Sequence, residues 1–291
     1  MPKHLTFIAS GGRTGTNFFG DQLRLCLEDC WSEHEPDMFA GFSHLTAERI
    51  KRFGFRHVIA NRALGRAGLR IHGTKFLTGE MSLDEAATAL RGERARYHQQ
   101  VEAGLIVESY CRWWMFAGHI DTIFPGAKVV GVVRDPRSWI ASWMSHNPRH
   151  GYVPWTHYFP PGPVTPERVG DEVNAPRWDK IGPVGRLAWH WNCINSRLLD
   201  ATETGDTMRI FKFEELFSGE DKPLQELAEF AGTFPDRTYE VQTIEPLRRP
   251  KKNSSSAEPD DWTRWTDTER ALVDEIAGET MARCGYAPLS A

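Results

Sequence analysis

The sequence has few cysteines, no long hydrophobic run and little net charge, and each lack excludes something. Its five cysteines, Cys26, Cys30, Cys111, Cys193 and Cys284, are scattered and odd in number, which argues against a disulfide framework and shows no paired zinc spacing. They read as reduced thiols, mostly in the core. No stretch approaches the roughly 18 uninterrupted apolar residues of a membrane span, so no stable membrane insertion is expected. Polar, glycine-rich chain is reached by Ser10, too early for a secretory signal, and a soluble, cytoplasmic protein is expected. Lys and Arg number 35 against 39 Asp and Glu, a net charge of −4, so overall charge offers no attraction to nucleic acid or to an anionic membrane.

What is present is globular in composition. Of 291 residues, 40% are hydrophobic and 25% charged, enough for a sizeable core and against disorder over most of the chain. The 11 Trp and 16 Phe exceed what a core of this size usually needs, and some are expected to line a cleft. Leu5 to Ser10 is an apolar run ended by Gly11-Gly12, and from Thr16 apolar residues recur at Phe19, Leu23, Cys26 and Leu27. The pattern is strand, glycine turn, helix. Further strands are expected at Leu69 to Gly73, Leu105 to Val107, Lys128 to Val133 and Met208 to Phe213, with helical patterns between, including Trp113 to Phe124 before Pro125-Gly126. Such alternation implies an α/β protein, three-layer α/β/α around a central parallel sheet. Residues 147–183 are rich in proline and aromatics without periodicity, which suggests an insertion serving as a substrate lid within a single domain of residues 1–291. Thr266 and Glu269 have capping-box spacing before a terminal helix with Leu272, Val273, Ile276 and Met281.

Two constellations carry chemistry. After the first strand, Gly11-Gly12-Arg13-Thr14-Gly15-Thr16-Asn17 offers small residues that let backbone amides converge, hydroxyl donors, and a following helix, the parts of a P-loop-like anion cradle. The nucleotide-kinase form G-x-x-x-x-G-K-S/T aligns with Ser10, Gly15, Thr16 and Asn17. Without the lysine and the magnesium-binding hydroxyl, metal-dependent nucleotide hydrolysis is disfavoured while phosphate binding survives. An ordinary glycine turn remains the alternative. The second constellation closes a buried strand: Val132-Val133-Arg134-Asp135-Pro136-Arg137, with Ser142 on the next helix. Arg134 stands at the carboxyl end of a parallel strand, where ligands of such sheets bind, and its guanidinium suits a phosphate. A helix-start ion pair of Arg134 with Asp135 would read the same way.

Together the two motifs resemble the PAPS-dependent sulfotransferases, bacterial and carbohydrate-type members included, PAPS being 3'-phosphoadenosine 5'-phosphosulfate. In that family an R/K-S/T-G-T-T loop grips the 5'-phosphosulfate and an R-D/N-P-R/K-x4-S segment grips the 3'-phosphate. The resemblance implies nucleotide contacts from Gly12, Arg13, Thr14, Gly15, Thr16, Asn17, Phe18, Arg134 and Ser142, with Asn17 standing where a second Thr is usual. Met208 to Leu216 and Cys284-Gly285-Tyr286 match further family features, and Lys251, Lys252 and Asn253 fall where members fold a basic segment over the nucleotide. It also implies PAPS as donor, PAP as product and no metal. His146 and His150, separated by Pro148 and without a third ligand, do not argue otherwise.

Sulfuryl transfer needs in-line alignment, removal of the acceptor proton and stabilisation of the departing phosphate. Arg13 serves the leaving group. Glu35, in His34-Glu35-Pro36-Asp37, resembles the family's E-P element and is the favoured base. Glu108, in Ile106-Val107-Glu108-Ser109, resembles its E-K-S/T element with Ser109 in place of Lys and is the alternative. His72, Trp143 and His146 are candidate acceptor contacts, with Trp155, His157 and Tyr158 nearby in the insertion. A small-molecule, lipid or saccharide acceptor is expected, and the oligomeric state stays open. A nucleotide-binding protein of this fold without turnover, and more remotely a nucleotide kinase, are the competing readings.

Overall fold

The computed structural model describes residues 3–39, 41–61, 63–146, 160–203, 205–248 and 261–290, without the side chains of His146 and Asp261. Five strands, β1 (His4–Ser10), β2 (Cys30–His34), β3 (Leu105–Ser109), β4 (Lys128–Val133) and β5 (Met208–Lys212), form one sheet in the order β2-β3-β1-β4-β5. All four pairings are parallel. The helices in chain order are α1 (Thr16–Gln22), α2 (His44–Phe53), α3 (Leu69–Leu77), α4 (Leu83–Gln100), α5 (Ile120–Ile123), α6 (Pro136–His146), α7 (Gly182–Thr202), α8 (Phe213–Leu216), α9 (Asp221–Gly232) and α10 (Asp267–Arg283).

Both faces of the sheet are covered, which is why its central strands lack polar alternation. In β4, Val129 and Val133 enter one core with residues of α3 to α7 and α10, while Val130 and Val132 enter a second core with α1 and α9. Phe7 and Ala9 of β1 join the first core and Ile8 the second. The result is the three-layer α/β/α arrangement. A smaller third cluster joins Ile106 of β3 to Phe53, Val58, Tyr97 and Val101, so the face of β3 that carries Ile106 and Glu108 looks towards α2 and α4. The ends of β1 and β3 meet at Ile8 opposite Ser109, and β4 runs along the other side of β1 with Val132 opposite Ser10. The chain thus changes sides around β1 between β3 and β4, the switch point where open α/β sheets bind ligands.

Two expectations require correction. Leu69 to Gly73 is not a strand but the start of α3. Its alternation spans only five residues, and Leu69, Ile71, His72, Gly73 and Thr74 are buried together. Gly73 lets α3 lie close to residues 111–119, where a Cβ would stand 2.4 Å from Met115 Sδ. Trp113 to Phe124 is not one α-helix: a 3-10 helix over Cys111–His119 passes into the single turn of α5, with Trp113, Trp114, Met115 and Phe116 all buried. The insertion expected over about 147–183 runs up to α7, which begins at Gly182 with Pro183 in its first turn. Residues 147–159 lie outside the described residues. From Pro160 the segment is held to the fold, with Trp189 Nε1 donating to Asp171 Oδ2 at 2.7 Å. Strand β2 had no counterpart in the sequence reading.

Candidate active site

The loop between β1 and α1 is built around backbone conformations that the sequence makes possible. Gly12 (φ 73°) and Gly15 (φ 80°) are left-handed, and so is Arg13 (φ 56°), a non-glycine residue that bears the strain. Gly11 passes beneath Trp139, where a Cβ would lie 3.0 Å from the indole nitrogen, and that nitrogen donates to the Gly12 carbonyl at 2.9 Å. Ser10 Oγ accepts from the Gly12 amide at 3.1 Å and from Thr14 Oγ1 at 2.7 Å. The Thr14 hydroxyl therefore braces the loop from inside.

The two sequence constellations meet here. Arg13 Nε donates to Ser142 Oγ on α6 at 3.1 Å, and the Arg134 guanidinium donates to the Arg13 carbonyl at 2.7 Å. Arg134 is held further by its Nε on Ser138 Oγ at 2.9 Å and by the Phe213 ring, 4.5 Å below its guanidinium carbon. Burial lowers the pKa of both guanidiniums, and for Arg134 the nearby Arg13 lowers it again while Glu214 and Asp135 oppose the shift. Two partly desolvated like charges side by side create a demand for an anion.

A cavity of about 340 Å³ opens at this edge, lined by Ser10, Gly11, Gly12, Arg13, Thr16, His34, Glu35, Cys111, Arg112, Trp114 and Trp143. Its size is at the low end of the range for small-molecule sites. Glu35, the first residue after β2, is also left-handed (φ 45°), and its amide donates to the Ser109 carbonyl at 3.1 Å. His34 Nδ1 lies 2.9 Å from the same carbonyl. A carbonyl only accepts, so Nδ1 carries a proton. Burial lowers the His34 pKa, against the opposing influence of Glu35 and the Ser109 bond, and Nε2 lies 3.8 Å from Glu35 Oε2. Burial also pushes the Cys111 thiol up to about 12, which keeps it neutral beside Glu35.

The candidate residues divide accordingly. Gly12, Arg13, Thr16, Glu35 and Trp143 line the cavity together, and Arg134 and Ser142 are bonded to its loop. Asn17 is exposed just beyond. Phe18 is buried against Phe19 and Phe217. Glu108 does not line the cavity: it is 1% exposed, with Arg94 Nε at 2.9 Å and His98 Nε2 at 3.1 Å. His72 is likewise buried, against Glu93 at 2.7 Å. Lys251, Lys252, Asn253, Trp155, His157 and Tyr158 lie outside the described residues, as does the His146 side chain. His34, Cys111, Arg112 and Trp114 were not foreseen. Cys111 and Arg112 closely follow the carboxyl end of a central parallel strand, the same signal that singled out Arg134.

Residues 60–175 match the family model described as a sulfotransferase domain, Sulfotransfer_4. The match covers 116 of the 291 residues, so this part of the chain is similar to a sulfotransferase domain. The matched stretch contains Arg134, Ser142 and Cys111, whereas the loop at 10–17 and Glu35 precede it. Among solved structures, the chain is similar to the sulfotransferase domain from the Synechococcus PCC 7002 olefin synthase, at 16% identity over 98% of this chain and 96% of that one, with a TM-score of 0.46. It is also similar to the sulfotransferase domain from the curacin biosynthetic pathway, at 13% identity over 99% of each chain, with a TM-score of 0.38. No curated protein matches it.

Proposed function

We propose that this chain transfers the sulfuryl group of PAPS in line to a hydroxyl or amine of a small-molecule, lipid or saccharide acceptor and releases PAP. The observation that carries this reading is the meeting of Arg13 and Arg134, from motifs 121 residues apart, through one 2.7 Å hydrogen bond, beside a cavity that Arg13 shares with Glu35. Two guanidiniums, the neighbouring hydroxyls of Ser142 and Thr16, and a strained glycine loop suit a ligand with two separated phosphate groups. Lys251, Lys252 and Asn253 are proposed to add to the same nucleotide site.

In the transfer, the acceptor oxygen or nitrogen bonds to sulfur as the sulfur–oxygen bond to the 5'-phosphate breaks. The acceptor proton passes to a carboxylate, for which Glu35 is proposed because it faces the cavity while Glu108 is committed to Arg94 and His98. Arg13 faces the charge that develops on the departing phosphate, a role worth about 3 kcal/mol when a single donor is preorganised. His34 is fixed through Ser109, with its Nε2 3.8 Å from Glu35 Oε2. Trp114 and Trp143 give the acceptor side an aromatic wall.

The test is transfer from radiolabelled PAPS to a panel of alcohol, phenol, amine and saccharide acceptors. The expected outcome is product formation by the natural chain and a kcat about 100-fold lower or worse in Glu35→Gln, the usual scale for loss of a general base, with PAP binding retained. Unchanged kcat in Glu35→Gln would remove Glu35 from the mechanism. PAP binding without transfer to any acceptor would favour the reading as a nucleotide-binding protein without turnover.

A further inference from the structure

Glu35 sits on a turn that a single side chain from another element spans. It follows β2 with a left-handed backbone (φ 45°), and the Met38 amide donates to the Glu35 carbonyl at 3.0 Å, closing a four-residue turn. Arg49 lies on α2, on the face that carries the buried residues Thr46, Arg49 and Phe53. Its Nη1 donates to the Met38 carbonyl at 2.6 Å and its Nη2 to the His34 carbonyl at 3.0 Å. We propose that Arg49 is a positioning residue for the transfer: its guanidinium clamps both ends of this turn and so keeps the Glu35 carboxylate at the cavity.

The two bonded carbonyls belong to the residue before Glu35 and to the residue that ends its turn, so Glu35 is enclosed between them. A left-handed residue other than glycine persists only where its surroundings over-determine it. From β3, the Ser109 carbonyl accepts from the Glu35 amide at 3.1 Å, and from α2 Arg49 holds the chain on either side. The planar guanidinium presents several donors in fixed directions, whereas a lysine would offer a point charge on a flexible stem. The fork is itself fixed. Arg49 is 9% exposed, and its Nε stands 4.0 Å from Glu33 Oε1, while Glu33 Oε2 pairs with Arg52 one position before Phe53. Phe53 stacks on Tyr97 of α4 with centroids 5.0 Å apart, so the clamp is carried by a helix docked on the fold.

Arg49 is not among the residues that line the cavity, and it acts on the reaction only through the turn. Its terminal nitrogens are directed at neutral main-chain carbonyls, an arrangement that fixes backbone position. Support of the fold is the competing role, and the two part in their readouts. The effect on transfer rests on the proposed function, in which Glu35 takes the acceptor proton; the clamp on the turn does not.

The test compares the natural chain with Arg49→Lys, Arg49→Ala, Glu35→Gln and the double variant Glu35→Gln/Arg49→Ala. With PAPS and the best acceptor of the panel at saturation, kcat should fall about 100-fold in Arg49→Ala, the cost of a misplacement of about 1 Å. The KM for PAPS and the affinity for PAP should stay unchanged. Millimolar methylguanidinium should restore part of kcat in Arg49→Ala, and Arg49→Lys, which keeps the charge without the fork, should lie between and supplies the same readouts if Arg49→Ala misfolds. The double variant should be no slower than Glu35→Gln, since Arg49 acts through Glu35. Hydrogen exchange needs no transfer: the Glu35 and Met38 amides should exchange about tenfold faster in Arg49→Ala, with the Gly12 amide unchanged. Unchanged exchange at Glu35 and Met38 overturns the clamp. Losses of kcat that multiply in the double variant, or that come with an equal loss of PAP affinity, overturn the positioning role in favour of support of the fold. Absence of transfer by the natural chain counts against the proposed reaction, and the exchange measurement then decides on the clamp by itself.

Discussion

Arg134 is tied to the loop carbonyl of Arg13, to Ser138 and to the Phe213 ring, so it presents a fixed charge and its removal deletes a whole anion contact. Arg134→Ala should weaken PAP binding about 10- to 100-fold, the equivalent of one charge-assisted contact of about 1.5–3 kcal/mol, as read by calorimetry. The two carboxylates once open as bases should fail differently. Glu35→Gln should lose activity at unchanged Tm. Glu108→Gln should lose about 3 kcal/mol of stability by leaving Arg94 buried without its carboxylate, with activity per folded molecule retained. Paired denaturation and kinetics separate the two. His34 adds a pH dependence. Burial holds its folded pKa below the ordinary value, so the folded chain binds fewer protons. The stability from this group is present above about pH 6.5 and is lost as pH falls from there through the folded pKa. Between pH 7 and 5 the Tm of the natural chain should fall more than that of His34→Asn, whose amide keeps a donor for the Ser109 carbonyl.

At the scale of elements, local signals sufficed where one physical cause acted alone. The Thr266 hydroxyl and Glu269 carboxylate form the reciprocal capping box at the start of α10 that their spacing announced. Thr266→Ala should lower stability by about 1 kcal/mol in chemical denaturation. The run KVVGVV could only be a strand covered on both faces, and it is β4. Local signals failed where tertiary contact decided. Leu69 to Gly73 has a strand-like alternation, yet packing of Gly73 on Met115 draws it into α3. Strand β2 is short, and of its five residues only Ser32 is buried, so it lacks the apolar run by which strands are recognised. That omission hid His34 as a cavity residue. The loop is legible for the opposite reason, since its glycines are required by geometry. Gly15 has φ 80° and a Cβ there would meet Phe217 at 3.2 Å. Gly15→Ala should strain and shift the loop, reducing PAP affinity and Tm together.

Across the molecule, the active-site candidates come together only through the strand order. Ser10, Glu35, Cys111 and Arg134 lie near the carboxyl ends of β1, β2, β3 and β4, and pairing in the order β2-β3-β1-β4 brings these ends to one edge. Motif reading found Arg13 and Arg134 because their spacing to neighbouring residues is local. It could not choose between Glu35 and Glu108, because that choice depends on which way a strand residue points, and Glu108 turns with Ile106 towards α4. Among the described residues no helix is long and apolar enough to cross a membrane. The most direct measurement is calorimetric titration of the full chain with PAP without magnesium, with ATP as the comparison ligand and Arg134→Ala as the control. Saturable binding of PAP in preference to ATP, weakened in Arg134→Ala, is the expected result. Absence of PAP binding, or binding of ATP only with magnesium, would contradict a PAPS-dependent sulfotransferase built on Arg13 and Arg134.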